Sequence, residues 1–461
     1  MMKQNNNAMK ATFEDSNSPL IMLISLGCDK NLVDSEMMLG MLSEAGYRIT
    51  DIEEEADVII VNTCCFIGDA KEESINTILE IADLKKSGHL KGIVVCGCLS
   101  ERYKDEIIKE IPEVDAIVGT SSFDDIVEAT RYCLEKSGRN SFYKDISAPC
   151  ITGKKRLVST GGHYAHLKIA EGCGKNCTYC IIPKIRGKYR SVPMESLIKE
   201  AEELVSQGVK ELILVAQETT LYGTDLYGKK SLSKLLKELC KIDGLEWIRI
   251  QYCYPEEIDD ELIATIKEEA KVCNYLDLPI QHCSDSILKK MGRRTDKADI
   301  ERIVAKLRKE IPDICLRTTL ITGFPGETEE DFEELYRFVN ETEFDRLGVF
   351  SYSAEENTPA ATMENQVPDE VKDSRRDEIM ELQQAVSYDL SEKRVGKVYR
   401  TFIEGRDTKE DVYVGRTYMD APGVDGYVFI KTDMNLMSGD FIDVLITDFN
   451  EYDLIGEPVN V

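Results

Sequence analysis

Short apolar runs alternate with amphipathic stretches through the first third of the chain. Ile21–Leu26, Asp57–Asn62 and Gly92–Cys96 are dense in Ile and Val, and between them Val33–Ala45 and Lys71–Lys86 repeat apolar residues at intervals of three and four. Brief β-branched runs predict strands and the 3.6-residue period predicts helices packed against them. Their alternation predicts a parallel sheet, so residues 20–132 read as one α/β domain. Ahead of it, residues 1–19 are polar and Asn-rich, without the charged-then-apolar order of a signal sequence, and read as a disordered tail. Behind it, residues 133–162 carry Ser, Gly, Pro and the triplet Lys154-Lys155-Arg156, and read as a linker.

The pattern resumes at His163. Strands are predicted at Ala165–Ala170, Glu211–Ala216, Glu246–Tyr252, Tyr275–Leu278, Cys315–Ile321 and Arg346–Tyr352, with helices such as Met194–Gln207 and Glu329–Asn340 between them. Six strand–helix units predict an open, partial (β/α)6 barrel with its site at the carboxyl ends of the strands. A long polar-amphipathic helix, from about Pro368 to Val395, completes the segment 163–395. Residues 396–461 change character: β-branched and aromatic residues alternate with polar ones between glycine turns, as in Lys397-Val-Tyr-Arg-Thr-Phe-Ile and Val412-Tyr-Val-Gly. Several short strands in so few residues predict a small β-barrel.

Composition narrows the chemistry. A hydrophobic share of 42% is ample for folded cores, and no apolar run approaches the ~20 residues of a membrane span. A cytoplasmic protein is expected, and its 15 cysteines then read as metal ligands and buried thiols rather than disulfides. There are four histidines, and no phosphate-binding Walker loop, nucleophile elbow or dinucleotide-binding glycine turn. The formal net charge is −28, from 57 basic and 85 acidic residues. Such a surface repels a phosphate backbone and attracts a basic protein.

The most informative residues are Cys173, Cys177 and Cys180, spaced C-x3-C-x2-C. Three thiolates on a cubane [4Fe–4S] cluster, which normally takes four cysteines, leave one iron for a small molecule. S-adenosylmethionine (SAM) fits that role through its amino and carboxylate groups, and an electron from the cluster then splits it to a 5′-deoxyadenosyl radical. A closed zinc site is the alternative, with His163 and His166 upstream as completing ligands. A second triad is spread more widely. Each strand of the first domain ends in a cysteine-bearing turn, placing Cys28, Cys64 and Cys98 at one edge of a parallel sheet, where ligands bind. Burial as small hydrophobes is the alternative for each one singly. Three at equivalent turns point to a second cluster, with Cys65 and Cys96 as neighbours outside it.

This order of parts resembles the radical-SAM methylthiotransferases, whose terminal small barrel is an OB-like TRAM domain. The resemblance covers nearly the whole chain and rests on Ser25-Leu-Gly-Cys28-Asp-Lys-Asn, Asn62-Thr-Cys64, Cys96-Gly-Cys98 and Thr319-Leu-Ile-Thr-Gly-Phe-Pro-Gly-Glu327. It implies two [4Fe–4S] clusters, on Cys28, Cys64 and Cys98 and on Cys173, Cys177 and Cys180, with SAM as methyl donor and radical source. Ala216-Gln217-Glu218-Thr219-Thr220 and Pro279-Ile-Gln281-His282-Cys283-Ser284 look like the RimO branch, which modifies an aspartate β-carbon in the twelfth protein of the small ribosomal subunit. The runner-up is the MiaB branch, which modifies tRNA adenosine. Glu218 stands where the RimO branch commonly has Asp. From Arg394 onward, 7 Lys/Arg face 13 Asp/Glu, a balance suited to a basic ribosomal protein and not to RNA. Nucleic acid is disfavoured as substrate. Tyr179, Gln217, Glu218 and Gln281 are the expected SAM contacts. The run Lys184, Arg186, Lys188 and Arg190 reads as a solvated face, with binding of the substrate's aspartate carboxylate or of the reductant as the alternative; a flavodoxin- or ferredoxin-type reductant is the expected electron donor.

Overall fold

The computed structural model describes residues 18–86, 88–135 and 138–459, so nearly all of the tail read at residues 1–19 lies outside the described residues. The chain divides into two compact units. One comprises the residues up to Cys65, with Asp69–Asp145 and Lys154–Leu157; the other comprises Phe66–Gly68, Ile146–Gly153 and Val158–Val461.

The first unit is a six-stranded parallel sheet in the order β2-β1-β3-β4-β5-β6. Its strands are β1 (Leu20–Ser25), β2 (Arg48–Ile49), β3 (Val58–Thr63), β4 (Gly92–Gly97), β5 (Ala116–Val118) and β6 (Asn140–Phe142). All six residues of β3 and of β4 are buried, because helices cover both faces of a parallel sheet and continuous Ile/Val runs suit such a site. The helices Asp29–Glu44 and Gly68–Lys86 begin several residues before the predicted starts. β6 falls inside the stretch read as linker. Part of that stretch also lines the helix Asp29–Glu44: Arg156 pairs with Glu36, both buried, and Leu157 N–H donates to the Glu36 carbonyl at 3.1 Å. Gly40 makes this approach possible, since a Cβ there would meet the Lys155 carbonyl oxygen at 2.0 Å.

The second unit opens with β7 (Tyr164–Lys168). Two short strands, β8 (Ala170–Glu171) and β9 (Arg190–Ser191), then pair with each other around the cysteine loop. β10 (Glu211–Val215), β11 (Trp247–Ile250), β12 (Val272–Gln281), β13 (Cys315–Thr322) and β14 (Arg346–Ser351) complete a parallel sheet in the order β14-β13-β12-β11-β10-β7. This is the open six-stranded barrel expected from the sequence. The long helix Asp369–Glu392 follows it. β15 (Val398–Asp407), β16 (Val412–Arg416), β17 (Val428–Ile430), β18 (Phe441–Phe449) and β19 (Leu454–Pro458) then close a barrel ordered β15-β16-β17-β19-β18. Among the described residues no helix is long and apolar enough to cross a membrane.

The small barrel packs against the amino ends of the large barrel's strands, leaving their carboxyl ends to the site. Trp247, Tyr275 and Cys315, at or near the starts of β11, β12 and β13, form one buried cluster with Phe402, Met419 and Ala421. Charged residues line the same junction. The fully buried Glu211 receives Arg249 at 2.8 Å and Arg416 at 2.6 Å, and Arg317 bridges Asp277 at 2.9 Å and Asp425 at 3.3 Å. Two arginines hold the Glu211 carboxyl down to about 2 although its burial pulls the other way. The two barrels are thus joined by buried pairs, which neither could leave uncompensated.

Candidate cluster and cofactor sites

In the first unit, β1 and β3 are neighbours on which the chain reverses its direction of build, a switch point where open α/β sheets bind ligands. Cys28 caps the helix Asp29–Glu44, Cys64 follows β3, and Cys98 opens the helix Cys98–Arg102 after β4. The registers Ser25↔Asn62 and Thr63↔Gly97 bring the three turns level. Two glycines let them close up. Gly27 has φ +89 and lies so near Cys64 that a Cβ would meet its Cβ at 2.6 Å and its Sγ at 2.9 Å. Gly97 has φ +90 and touches Asn62 and the Thr63 backbone in the same way. Asn31 knits the edge: its Nδ2 donates to the Leu26 and Thr63 carbonyls, each at 3.0 Å, and its Oδ1 lies 3.9 Å from Cys98 Sγ. Cys64 and Cys98 are buried and Cys28 is partly exposed. Cys96 points instead into the core, 3.9 Å from Met38 Sδ.

In the second unit, the cysteine loop follows β7 and β8 at the carboxyl end of the barrel. Its fold is set by backbone bonds: Cys173 N–H to the Gly187 carbonyl at 3.1 Å, Cys180 N–H to Cys177 at 3.1 Å, and Thr178 N–H to Met291 at 2.9 Å. Lys175 N–H donates to Cys173 Sγ at 3.4 Å, and Cys177 Sγ lies 3.9 Å from the Tyr254 hydroxyl. Burial pushes the Cys173 thiol up to about 11 and the Cys180 thiol up to about 12. Lys175 fastens the loop to the β11 edge through Glu257 at 2.6 Å and Glu256 at 3.1 Å. His163 stands at the amino end of β7, 2.9 Å from Glu404, with a strand of about 16 Å between it and the loop. It cannot complete a zinc site with these cysteines. Among the described residues no three His, Cys, Asp or Glu side chains stand close enough to share one metal ion. A cubane asks for something else, because each of its thiolates binds a different iron.

Three of the four expected SAM contacts adjoin this loop. Tyr179 stands edge-on to Phe324 at 6.4 Å, against the apolar cluster of Ile287, Met291 and Tyr352. Gln217 follows β10 and donates through Nε2 to Glu171 at 2.8 Å, and its Oε1 is buried without a hydrogen-bond partner among the described residues. Glu218 is fully buried; its Oε1 accepts the Thr220 N–H at 3.0 Å and the Thr220 hydroxyl, and its Oε2 has no partner among the described residues. Burial lifts this carboxyl to about 8, against the opposing pull of Thr220 and Lys175. Gln281 ends β12 with φ +73, and Tyr252, just past β11, has φ +60. Left-handed backbone is strained at bulky residues and gathers at functional sites. Asp277 holds Tyr252 in that state, accepting its N–H at 3.1 Å. Gln251 Oε1, just past β11, is a further buried acceptor without a partner among the described residues. Buried polar groups are ordinarily bonded, so the Gln217 and Gln251 amide oxygens and the Glu218 carboxyl, at neighbouring strand ends, fit a polar ligand with several hydrogen-bonding groups, as SAM is.

The basic run does not act as one patch. Arg186 is buried and bound to Glu171 at 3.1 Å, since a carboxylate buried beside Cys173 requires cations; Lys168 is the other, at 2.8 Å. Lys184 donates to the Asn357 carbonyl and Arg190 to the carbonyls of Arg186 and Lys188. Sequence reasoning missed Glu171, Gln251, Tyr254 and Arg293. The segment Gln251-Tyr-Cys-Tyr-Pro255, just past the third barrel strand, occupies the place that Gln217 and Glu218 hold after the second, and that equivalence was the available signal.

The chain is similar to known proteins over nearly all of its length. An uncharacterized protein family, UPF0004, matches residues 20–119, the radical SAM superfamily matches 167–339, and a TRAM domain matches 395–459. A protein of Lachnoclostridium phytofermentans is 60% identical over 436 residues, covering 95% of this chain and 99% of its own length. One from Acetivibrio thermocellus is 53% identical over 444 residues, covering 95% and 98%. One from Clostridioides difficile is 52% identical over 437 residues, covering 95% and 98%. Each bears the name ribosomal protein uS12 methylthiotransferase RimO. Among solved structures, the radical S-adenosylmethionine methyltransferase TsrM of Kitasatospora setae is similar with a TM-score of 0.53 at 17% identity, over 72% of this chain and 73% of that one. The cobalamin-dependent S-adenosylmethionine radical enzyme OxsB gives 0.51 at 13% identity, over 81% and 56%. At such identities the likeness speaks for the fold alone.

Proposed function

The chain belongs to the RimO branch of the radical-SAM methylthiotransferases, and from that premise we propose that it adds a methylthio group to the β-carbon of an aspartate in ribosomal protein uS12. The observation that carries this reading is 52–60% identity, over 95% of the chain, to relatives of that name, in a chain that has both cysteine triads. It favours the ribosomal-protein branch over the tRNA branch, in line with the motifs after the second and fourth barrel strands.

We assign the radical-SAM cluster to Cys173, Cys177 and Cys180 and an auxiliary cluster to Cys28, Cys64 and Cys98. Labour then divides among residues 20–132, 163–395 and 396–461. When bound, the first cluster and SAM together supply a homolytic route to a C–H bond that no side-chain base can deprotonate usefully. The chain's own residues do the rest. The Lys175 N–H stabilises Cys173 as thiolate, and Glu256 and Glu257 hold Lys175 in place to do so. Tyr179 and Phe324 form an apolar wall beside the loop. Gln217, oriented by Glu171, presents its amide oxygen to SAM, and Gln281 contributes from the end of β12. Glu218 is a neutral acid below about pH 8. Its proton sits on Oε2, because Oε1 already accepts two bonds from Thr220. Ionised, it pairs with a cationic part of SAM.

The substrate reading is supported by charge. From Arg394 onward 13 acidic residues stand against seven basic ones, of which Arg394, Arg400, Arg406 and Arg416 are already in ion pairs. The proposal includes a cytoplasmic setting, which keeps the thiols reduced, and a flavodoxin- or ferredoxin-type electron donor. Mass spectrometry after purified enzyme, SAM and reductant are offered uS12 and tRNA together tests it. A methylthio mass increment on a uS12 aspartate is expected, and an increment on tRNA adenosine alone refutes the proposal.

A further inference from the structure

Iron–sulfur clusters take their reduction potentials from net charge, hydrogen bonds to the sulfurs and exposure. The residues behind Cys177 supply the first two. After the helix Asp285–Lys290 the chain turns through Met291 and Gly292 onto the cysteine loop. Thr178 donates its N–H to the Met291 carbonyl at 2.9 Å and its hydroxyl to the Lys290 carbonyl at 2.8 Å. Gly292, with φ +72, sits so close that a Cβ would meet the Asn176 carbonyl oxygen at 3.1 Å. This seating delivers Arg293 beneath the loop. Its guanidinium lies 4.3 Å from the centre of the Tyr254 ring, and its Nη2 donates to the Pro279 carbonyl at 2.9 Å. The hydroxyl of that tyrosine is the group 3.9 Å from Cys177 Sγ.

Arg293 is only 8% exposed, and its Nε and Nη1 have no hydrogen-bond partner among the described residues. A buried cation in that condition is costly unless an anion stands near. Lys175, 5.0 Å from the centre of the same ring, is balanced by two glutamates; among the described residues no carboxylate bonds Arg293, and Glu256 acts on it only through space. An oxidised cubane with three thiolates carries one negative charge, and one-electron reduction adds a second.

We propose that Tyr254 and Arg293 are positioning residues that raise the reduction potential of the cluster on Cys173, Cys177 and Cys180. The tyrosine hydroxyl donates to the Cys177 thiolate, and the guanidinium behind it compensates the charge gained on reduction. This rests on the assignment of those cysteines to a [4Fe–4S] cluster. Redox titration followed by electron paramagnetic resonance, on anaerobically reconstituted full-length chain and read on the SAM-responsive signal, tests it. R293M and Y254F should each disfavour the reduced cluster about tenfold, 59 mV lower for one electron, with iron and sulfide per chain unchanged. R293K keeps the charge and should recover most of the shift. Full cluster content with potentials equal to wild type overturns the inference, as does an R293K potential as low as that of R293M. If R293M loses its cluster, R293K and Y254F decide. Absence of any cubane from the wild type overturns the cluster assignment itself, and this inference with it.

Discussion

Replacing Glu218 by glutamine keeps the shape of the side chain and removes its charge. The native carboxyl titrates near 8 against 4.5 when unburied, because it has no solvent and only Thr220 and the distant Lys175 to favour ionisation. Its folded-state value is raised, so the native state keeps a proton that the unfolded chain releases between about pH 4.5 and 8. Stability therefore falls as pH rises through that window, by at most about 5 kcal/mol. A ligand that pairs with the carboxylate must first ionise it. Between pH 6.5 and 8.5 the ionised fraction grows about 25-fold, worth about 1.9 kcal/mol of binding. Equilibrium dialysis of labelled SAM against reconstituted enzyme should show wild-type affinity climbing by about that factor and levelling above pH 8. E218Q serves as the baseline that carries SAM's own titration and should lack the climb. Parallel pH profiles for wild type and E218Q would refute this placement of the charge.

The other expectations are structural. Gly97→Ala forces a Cβ to 2.3 Å from Asn62 Oδ1 on a backbone that only glycine adopts without strain of about 1–3 kcal/mol. Its iron content should fall to about half while deoxyadenosine formation persists; unchanged iron would refute the auxiliary site. Arg416→Met leaves Glu211 short of one of its two cations inside the junction of the barrels, at a cost of about 3–5 kcal/mol. Trp247, the sole tryptophan, is buried at that junction and reports urea unfolding there. A loss below about 1 kcal/mol would show the network to be dispensable.

How much of this was legible in the sequence depends on what each signal requires. Strands β3 and β4 are buried on both faces, so their Ile/Val runs announce them; β2, β5 and β6 are two or three residues long and give no period to read. The cysteine triads were legible because thiolates at fixed spacing, or at the ends of successive strands, have few other uses. The basic run misled because sequence shows four charges in seven residues and conceals that Arg186 answers Glu171 inside the fold. Arg293 and Tyr254 are 39 residues apart, and nothing but the meeting of the end of β11 with the turn after the helix Asp285–Lys290 relates them. The junction of the barrels was equally hidden. Glu211, Arg249 and Arg317 sit in strands, where charge usually signals a solvated face, and here partners from the small barrel bury them.

Two separate triads are each proposed to hold a cluster with an iron free for another ligand. Mössbauer spectroscopy and SAM cleavage, measured on anaerobically reconstituted wild type and on the C28A/C64A/C98A variant, test that most directly. The wild type should bind about eight irons as two cubanes, and the variant about four, with deoxyadenosine still formed from SAM. Full iron in the variant, or cleavage lost together with the first-unit cysteines, would contradict it.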